Sequence, residues 1–311
     1  MKWMNSHITV GSLVFNQRVN SVRIESSRKK LTDTATITLP NLGKMLESSV
    51  AVGDAVVINL GYDEDLREEF VGYVASISPK SPFVLVCEDE MWQLKQQSVK
   101  PVSWKSTTLK EVLEYLLPDA TIDVPNVTLA PYRIAGKETS VARVLKDIKS
   151  AFGLDIYFRG KQLFVGLALT EDVGEVVYHF QKNLPFNQDE LEYVNSDSIR
   201  IKIEAESIHH NNKKIKVEVG DPDGEKHSLH YYNISESELR KLAEEKIRLL
   251  KYDGYRGSFK AKGQPLPFHG MVAHLIDEKH PERNGKYFID EVVTEYGSNG
   301  FNRTIKPGYQ A

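Results

Sequence analysis

The sequence predicts a mainly β protein in which a small α/β domain lies between two β regions. Three observations carry this prediction. Residues 1 to about 90 hold short runs rich in Val, Ile and Thr that alternate with polar residues, residues 98–167 hold two amphipathic helical stripes, and the alternation returns from about residue 170. A chain of 311 residues suits two or three domains of ordinary size. We therefore expect domains at 1–97, 98–167 and 168–311.

The first β region is predicted to contain about six strands, a number at which a sheet tends to close into a sandwich or barrel. Its longest feature is a hairpin within residues 52–77, VGDAVVINLGYDEDLREEFVGYVASI. Two strands rich in β-formers meet there at an acidic tip, and the tip carries Asp63, Glu64, Asp65, Glu68 and Glu69. A looser hairpin of the same plan is predicted at 268–297. Because long strands expose pairing edges that must be blunted or used, we expect the first hairpin to dock on a neighbouring subunit.

Helices are predicted where capping signals precede apolar stripes. Thr108 and Glu111 form a capping box before one stripe, and Ser140 caps a second that Gly153 ends. The two segments align at an offset of 32 residues, which indicates a helix–strand repeat whose first strand would lie at 122–124. In the last region, a capping box that begins at Ser235 predicts a helix within 235–251.

Composition limits the function classes. Forty Lys and Arg residues against 43 Asp and Glu residues give a net charge of −3, which argues against a sequence-independent nucleic-acid binder. The one cysteine, Cys87, lies in an apolar run and is expected to be a buried small hydrophobe. No stretch approaches the roughly 20 apolar residues of a membrane span, and no secretory signal is seen, so synthesis and folding in a cytosol are expected.

No catalytic, metal-binding or cofactor-binding motif stands out, and we expect the chain not to be an enzyme and to bind no cofactor. The carboxylates of Glu88, Asp89 and Glu90 are explained by the start of a helix, although they keep a hydrolase open as an alternative. Residues 221–225 are predicted to form a turn rather than a calcium loop. Lys214 and Lys216 share one face of a strand, which indicates either a solvated face or a positive stripe that touches a passing polyanion.

The order of motifs resembles the baseplate hub proteins of contractile phage tails. This family includes the late control D proteins, and the N-terminal half of the VgrG spike protein is similar. The first hairpin carries the pattern at Gly53, Asp54, Val56, Ile58, Leu60, Gly61, Tyr62, Phe70, Gly72 and Val74. The C-terminal stretch carries it at Gly263, Pro265, Gly270, Gly285, Tyr287 and Ile289.

The resemblance implies two similar tail-tube-like β-barrel domains in each chain and a small α/β domain between them. Three copies would form a homotrimer of pseudo-sixfold symmetry that joins the tail tube to a central spike. Since the chain stops at Ala311, directly after the last hub strand, we expect the spike to be a separate polypeptide. Other baseplate proteins are expected as partners, DNA or an effector would pass through the lumen, and the chain would enter a phage tail or injection particle without inserting into a membrane.

Under this interpretation a set of residues is expected at subunit interfaces. They lie in the two hairpins and on the lysine strand: Tyr62, Asp63, Glu64, Asp65, Glu68, Glu69, Phe70, Lys214, Lys216, Glu282, Arg283 and Tyr287. A carbohydrate- or peptidoglycan-binding β protein is the alternative, because Trp3, Trp92 and Trp104 offer stacking surfaces.

Overall fold

The structure is a computed structural model, and it describes most of the chain. The residues outside its description are 1, 18, 41–47, 80, 119, 121, 123, 125, 126, 130, 136–138, 167–172, 183, 185–189 and 210–212. In the described part, 23 strands far outnumber four α-helices, so the mainly β prediction is confirmed.

The N-terminal region consists of seven antiparallel strands. Their bounds are β1 Met4–Val10, β2 Leu13–Asn16, β3 Ser21–Ser27, β4 Thr34–Leu39, β5 Ala55–Tyr62, β6 Asp65–Ser78 and β7 Phe83–Glu88. Alternate side chains of β4 and β5 are buried, as the period of two in the sequence requires. Cys87 is among the buried residues, which confirms its expected place in the core.

The middle region combines three short helices with small two-stranded sheets. Its elements are α1 Met91–Gln96, β8 Val102–Trp104, β9 Thr107–Thr108, α2 Leu109–Leu116, β10 Thr128–Leu129, β11 Tyr132–Ile134, α3 Val141–Phe152, β12 Asp155–Arg159 and β13 Gln162–Gly166. The Thr108–Glu111 capping box, the Ser140 cap and the left-handed Gly153 are all present, so these helix predictions are confirmed. The strand predicted at 122–124 is wrong for Ile122 and Val124, which belong to no strand, while residue 123 lies outside the described residues.

The C-terminal region returns to strands around one long helix. Its elements are β14 Glu175–His179, β15 Leu191–Val194, β16 Ile201–Ile208, β17 Lys214–Gly220, β18 Glu225–Tyr232, α4 Glu236–Leu250, β19 Gly254–Gly257, β20 Phe259–Lys262, β21 Val272–Ile276, β22 Gly285–Gly297 and β23 Gly300–Gln310. The predicted helix is confirmed, with Ser235 as its cap. The turn at 221–224 is present, but the strands on either side of it do not pair with each other, because β16 lies between β17 and β18.

One sheet of twelve strands joins the two β regions. Strand β22 pairs with β3 along Glu291–Gly297 and also with β21 and β23. The order runs β14-β21-β22-β3-β4-β7-β6-β5-β1-β2, and β23 and β20 branch from β22. Among the described strands this order does not close into a barrel, so the two similar barrels stay a prediction.

The apolar cores follow this arrangement. Tyr296 and Phe301, from the last hairpin, pack into the core of the N-terminal strands. Helices α2 and α3 form a second core with α1, while α4 covers the sheet β17-β16-β18 in a core of its own. The N-terminal and C-terminal regions therefore share one sheet and part of one core, and the middle region is inserted between them in the sequence.

Candidate interaction surfaces

The first hairpin ends in a tight two-residue turn. Asp63 and Glu64 both have positive φ, 50° and 69°, as a turn of type I′ requires. An Asp63 carboxylate oxygen accepts a hydrogen bond from the backbone N–H of Trp3 at 2.8 Å, and the N–H of Asp63 donates to the carbonyl of Trp3 at 2.8 Å. The tip is therefore held against the start of β1.

A β-bulge removes Glu69 from the acidic surface. The register between β5 and β6 shifts after Ile58, and Glu69 is the extra residue. Its carboxylate accepts two hydrogen bonds from the guanidinium of Arg303, at 2.6 and 2.8 Å, and both side chains are at most 4% exposed. The guanidinium also donates to Thr294 Oγ1 and to the carbonyl of Gly263. The charge of Glu69 is satisfied inside the chain, and its expected role at a subunit interface stays a prediction.

Two aromatic residues of the predicted interface are also buried. Phe70 packs in the N-terminal core, and Tyr287 is 1% exposed, with its hydroxyl accepting from the N–H of Tyr255. Both rings are buried within the chain, and their expected place at a subunit interface stays a prediction. Tyr62 is half-buried, with its hydroxyl donating to the carbonyl of Phe301 at 3.2 Å.

The other predicted interface residues lie on the surface in three separate places, and their role stays a prediction. Asp63, Glu64, Asp65 and Glu68 are exposed at the first tip. Lys214 and Lys216 lie across from Glu206, at 2.9 and 3.3 Å, and hydrogen bonding from Lys214 lowers the pKa of that carboxyl. Glu282 and Arg283 lie in a 3₁₀ turn at the tip of the second hairpin.

A buried ionic cluster joins the three regions of the chain. Arg28, in the turn after β3, donates to an Asp290 carboxylate oxygen at 2.6 Å and to Asp155 at 3.2 Å. Burial alone would lower the pKa of Arg28, but the charges of Asp290 and Asp155 raise it above its ordinary value. Lys149 donates to the carbonyls of Arg28 and Leu154, and burial lowers its pKa to about 8. Local sequence patterns carry no signal for this cluster, because Asp155 and Asp290 lie 127 and 262 residues from Arg28.

A basic groove of about 730 Å³ opens beside this cluster. Six of its lining residues are cationic, and its one acidic lining residue is the buried Asp155; the cations are Lys29, Lys30, Lys95, Arg143, Lys146 and Lys149. Sequence reasoning missed the groove, although a signal was available. Arg143, Lys146 and Lys149 recur every three residues on one side of α3, and Lys29 and Lys30 are adjacent basic residues between β3 and β4.

The three consecutive carboxylates have structural partners. Asp89 accepts from the N–H of Met91 at 3.0 Å, at the start of α1, and from the N–H of Asp33 at 2.9 Å. Glu88 pairs with Lys95, and Glu90 accepts from the hydroxyl of Tyr73. Burial, followed by the charge of Asp33, raises the pKa of Asp89 to about 7. The prediction that a helix starts here is confirmed.

The tryptophans do not form a common platform. Trp92 stacks on Tyr73 with ring centroids 5.4 Å apart, and Trp104 packs on Tyr115 and Tyr132. Trp3 is 71% exposed beside the acidic tip. Within the described ranges no group of three or more His, Cys, Asp or Glu side chains is placed to hold a metal ion. No helix in that part of the chain is long and apolar enough to cross a membrane.

Several solved structures have a fold similar to that of this chain. A tail protein from Neisseria meningitidis superimposes over 99% of this chain and 97% of its own, at 17% identity and a TM-score of 0.65. The chain has the fold of a phage tail protein. A 43 kDa tail protein of prophage MuSo2 from Shewanella oneidensis shares this tail-protein fold over 98% of this chain and 97% of its own, at 13% identity and a TM-score of 0.61.

The tail-protein fold extends to secretion machinery. An Escherichia coli component of the type VI secretion system, described as similar to the phage T4 tail proteins gp27 and gp5, matches 97% of this chain and 76% of its own. Its identity is 9% and its TM-score 0.59. The resemblance to baseplate hub proteins is thus confirmed at the level of the fold. No protein-family model and no curated protein matches the sequence.

Proposed function

We propose that the chain is a structural hub of a phage tail or contractile injection system. In this proposal three copies form a ring of pseudo-sixfold symmetry that joins the tail tube to a central spike. The observation that carries it is the whole-chain fold match to tail proteins at nearly full length on both sides. A fold match over one region alone would be explained by a single shared domain. The match to these tail proteins includes all three regions in the same order.

The two hairpins support the symmetry of the proposal. The pair β5–β6 comes from the first region and the pair β21–β22 from the last, and both belong to the same sheet. Two similar tail-tube-like units in one chain would let three chains meet a sixfold tube on one side and a threefold spike on the other. The proposal also includes three further parts: no catalysis by the chain, passage of DNA or an effector through the ring, and assembly of the chain into the particle.

Tail particles from a bacterium that encodes the chain provide the test. We expect peptides of this protein in purified particles at three copies per particle, counted with isotope-labelled standards. Deletion of the gene is expected to leave particles without joined tails, and a plasmid copy should restore them. Absence of the protein from particles, or a copy number that is not a multiple of three, would reject the proposal.

The glycan-binding alternative is tested with the same protein. A carbohydrate binder would rise in melting temperature when peptidoglycan fragments are added. We expect no change, because the rings of Trp92 and Trp104 already pack on tyrosines of the chain. The hydrolase alternative is tested by release of fragments, in which Glu88→Gln is compared with the wild type.

A further inference from the structure

We propose that the acidic tip of the first hairpin docks into the basic groove of a second copy of the chain. The acidic tip comprises Asp63, Glu64, Asp65 and Glu68, and the groove lies between the turn after β3 and helix α3. This inference rests on the proposed function for its ring and names the contact that would build it.

The groove has a strong positive bias. Lys29 and Lys30 approach from the turn after β3, Lys95 from the end of α1, and Arg143 and Lys146 from α3. Arg143 and Lys146 are exposed, and no carboxylate lies within 4 Å of Lys146 in the part of the chain that is described. Lys149, on the inner wall, lies 3.8 Å from Asp155, and burial lowers its pKa to about 8. An acidic occupant is therefore the chemistry that this groove would recognise.

The tip has the complementary charge and a compatible shape. Four exposed carboxylates surround the turn, and Arg67 is the cation of the tip, paired with Asp65 at 3.1 Å. The turn is narrow, since two residues connect the strands. Trp3 lies against it with 71% of its surface exposed, a large aromatic side chain of the kind that anchors protein interfaces.

The two surfaces lie at opposite ends of the same strands. Across the sheet, Thr34, Glu88, Tyr73 and Ala55 are aligned, and the turn that carries Lys29 and Lys30 leaves the sheet at this end. The tip follows Tyr62, at the other end of β5, about 23 Å away for seven residues of strand. A chain of this shape cannot fill its own groove. Contact between copies is then head to tail, and such contacts close into rings when the rotation fits.

Two groove cations, Arg143 and Lys30, make ion pairs within the chain that are weak enough to exchange. Three others keep their internal partners, because Lys29 pairs with the buried Asp290, Lys95 with the partly buried Glu88 and Lys149 with the buried Asp155. Arg143 lies 3.7 Å from Asp147, and both side chains are about two-thirds exposed. Lys30 pairs with Glu25 at about half exposure. Exposed pairs of this kind contribute about 0–1 kcal/mol, so a partner's carboxylates compete on even terms.

Charge reversal tests the contact. The groove variant Arg143→Glu/Lys146→Glu and the tip variant Glu64→Lys/Glu68→Lys are each expected to weaken trimer formation at least about tenfold, measured by light scattering over a concentration series. The control is Arg240→Glu/Lys241→Glu on α4, where Arg240 has an equivalent exposed pair with Glu236, and it should leave assembly unchanged. A chain that carries both the groove and the tip changes restores opposite charges and should assemble again.

Cross-linking gives an independent readout. Cys87 is buried, so Glu64→Cys and Lys146→Cys in one chain place the only accessible thiols at the tip and the groove. A short bis-maleimide should yield covalent dimers and closed trimers and no intrachain product. If trimers form but charge reversal does not weaken them and the bis-maleimide yields no covalent dimers or trimers, this inference is overturned and the hub proposal stands. A chain that stays monomeric throughout the concentration series also overturns it, while particle composition decides the hub proposal separately.

Discussion

The guanidinium of Arg303 and the carboxylate of Glu69 form a buried, two-bond ion pair between the last strand and the first long hairpin. The residues are 234 positions apart in the chain. The pair lies where β6 bulges, and the guanidinium has two further acceptors, so each charge is fully satisfied. The acidic hairpin is therefore fixed to the C-terminal strands by an interaction that exposure to solvent does not weaken.

Removal of either partner should destabilise the fold strongly. We expect Glu69→Gln and Arg303→Met each to lower the free energy of unfolding by about 3–5 kcal/mol, because the other charge is left buried and unpaired. Denaturant unfolding followed by circular dichroism measures this. Arg23→Met, which removes a half-exposed partner of Glu295, is the control and should cost less than about 1 kcal/mol. If the double variant loses as much unfolding free energy as the two single variants together, direct coupling of the pair is contradicted.

Arg28 should control the attachment of the middle region. Arg28→Lys keeps the charge but cannot reach Asp155 and Asp290 together, since a single ammonium replaces the planar fork. We expect faster hydrogen exchange in α3 and β12, with little change in β5 and β6. The matched control is Arg23→Lys on the exposed face of β3. Uniform acceleration over all regions would show that Arg28 supports global stability and not this junction.

Asp89 should make stability depend on pH. Its pKa of about 7 in the folded chain exceeds the ordinary value of 3.8, so the folded state holds the proton that the unfolded chain releases. The free energy of unfolding should therefore fall as the pH rises from about 4 to about 7, by at most about 4 kcal/mol from this residue. Asp89→Asn removes that contribution. Melting temperatures of both proteins between pH 5 and 8 test it, and parallel profiles would contradict the assignment.

Gly72 should not tolerate a side chain. A Cβ atom there would lie 2.0 Å from the carbonyl oxygen of Glu88, across the strand pair β6–β7. Gly72→Ala is expected to lower the free energy of unfolding by about 2 kcal/mol or more, because backbone must move to admit the methyl group. The comparison is Gly153→Ala, where no atom lies within 4 Å and only the left-handed conformation opposes alanine, by about 1 kcal/mol. Equal losses would contradict a steric role.

Local patterns in the sequence were sufficient for the hairpin and the helix caps. The Thr108, Ser140 and Ser235 caps act over three residues, so spacing alone revealed them. The bulge at Glu69 escaped because one extra residue reverses the face on which every following side chain lies. The sequence pattern therefore does not distinguish the two adjacent glutamates of the predicted tip, although Glu68 faces solvent and Glu69 faces Arg303.

Contacts between distant segments were the part that spacing could not supply. Nothing near Arg28 indicates Asp155 or Asp290, and nothing near Ser21–Ser27 indicates that β22 completes the pairing of β3. The basic groove likewise depends on a turn and a helix that are more than 100 residues apart. Such features appear only once the topology places the segments together.

The position of β22 between β3 and β23 has a consequence for synthesis. A ribosome releases β3 before its neighbour Glu291–Gly297, since the paired residues Ser27 and Glu291 are 264 positions apart in the chain. Until then the nascent β3 presents a bare border and lacks the rings of Tyr296 and Phe301 against Val22 and Ile24. This edge of β3 therefore stays open while the intervening residues are translated, and a chaperone that shields extended segments would bind there.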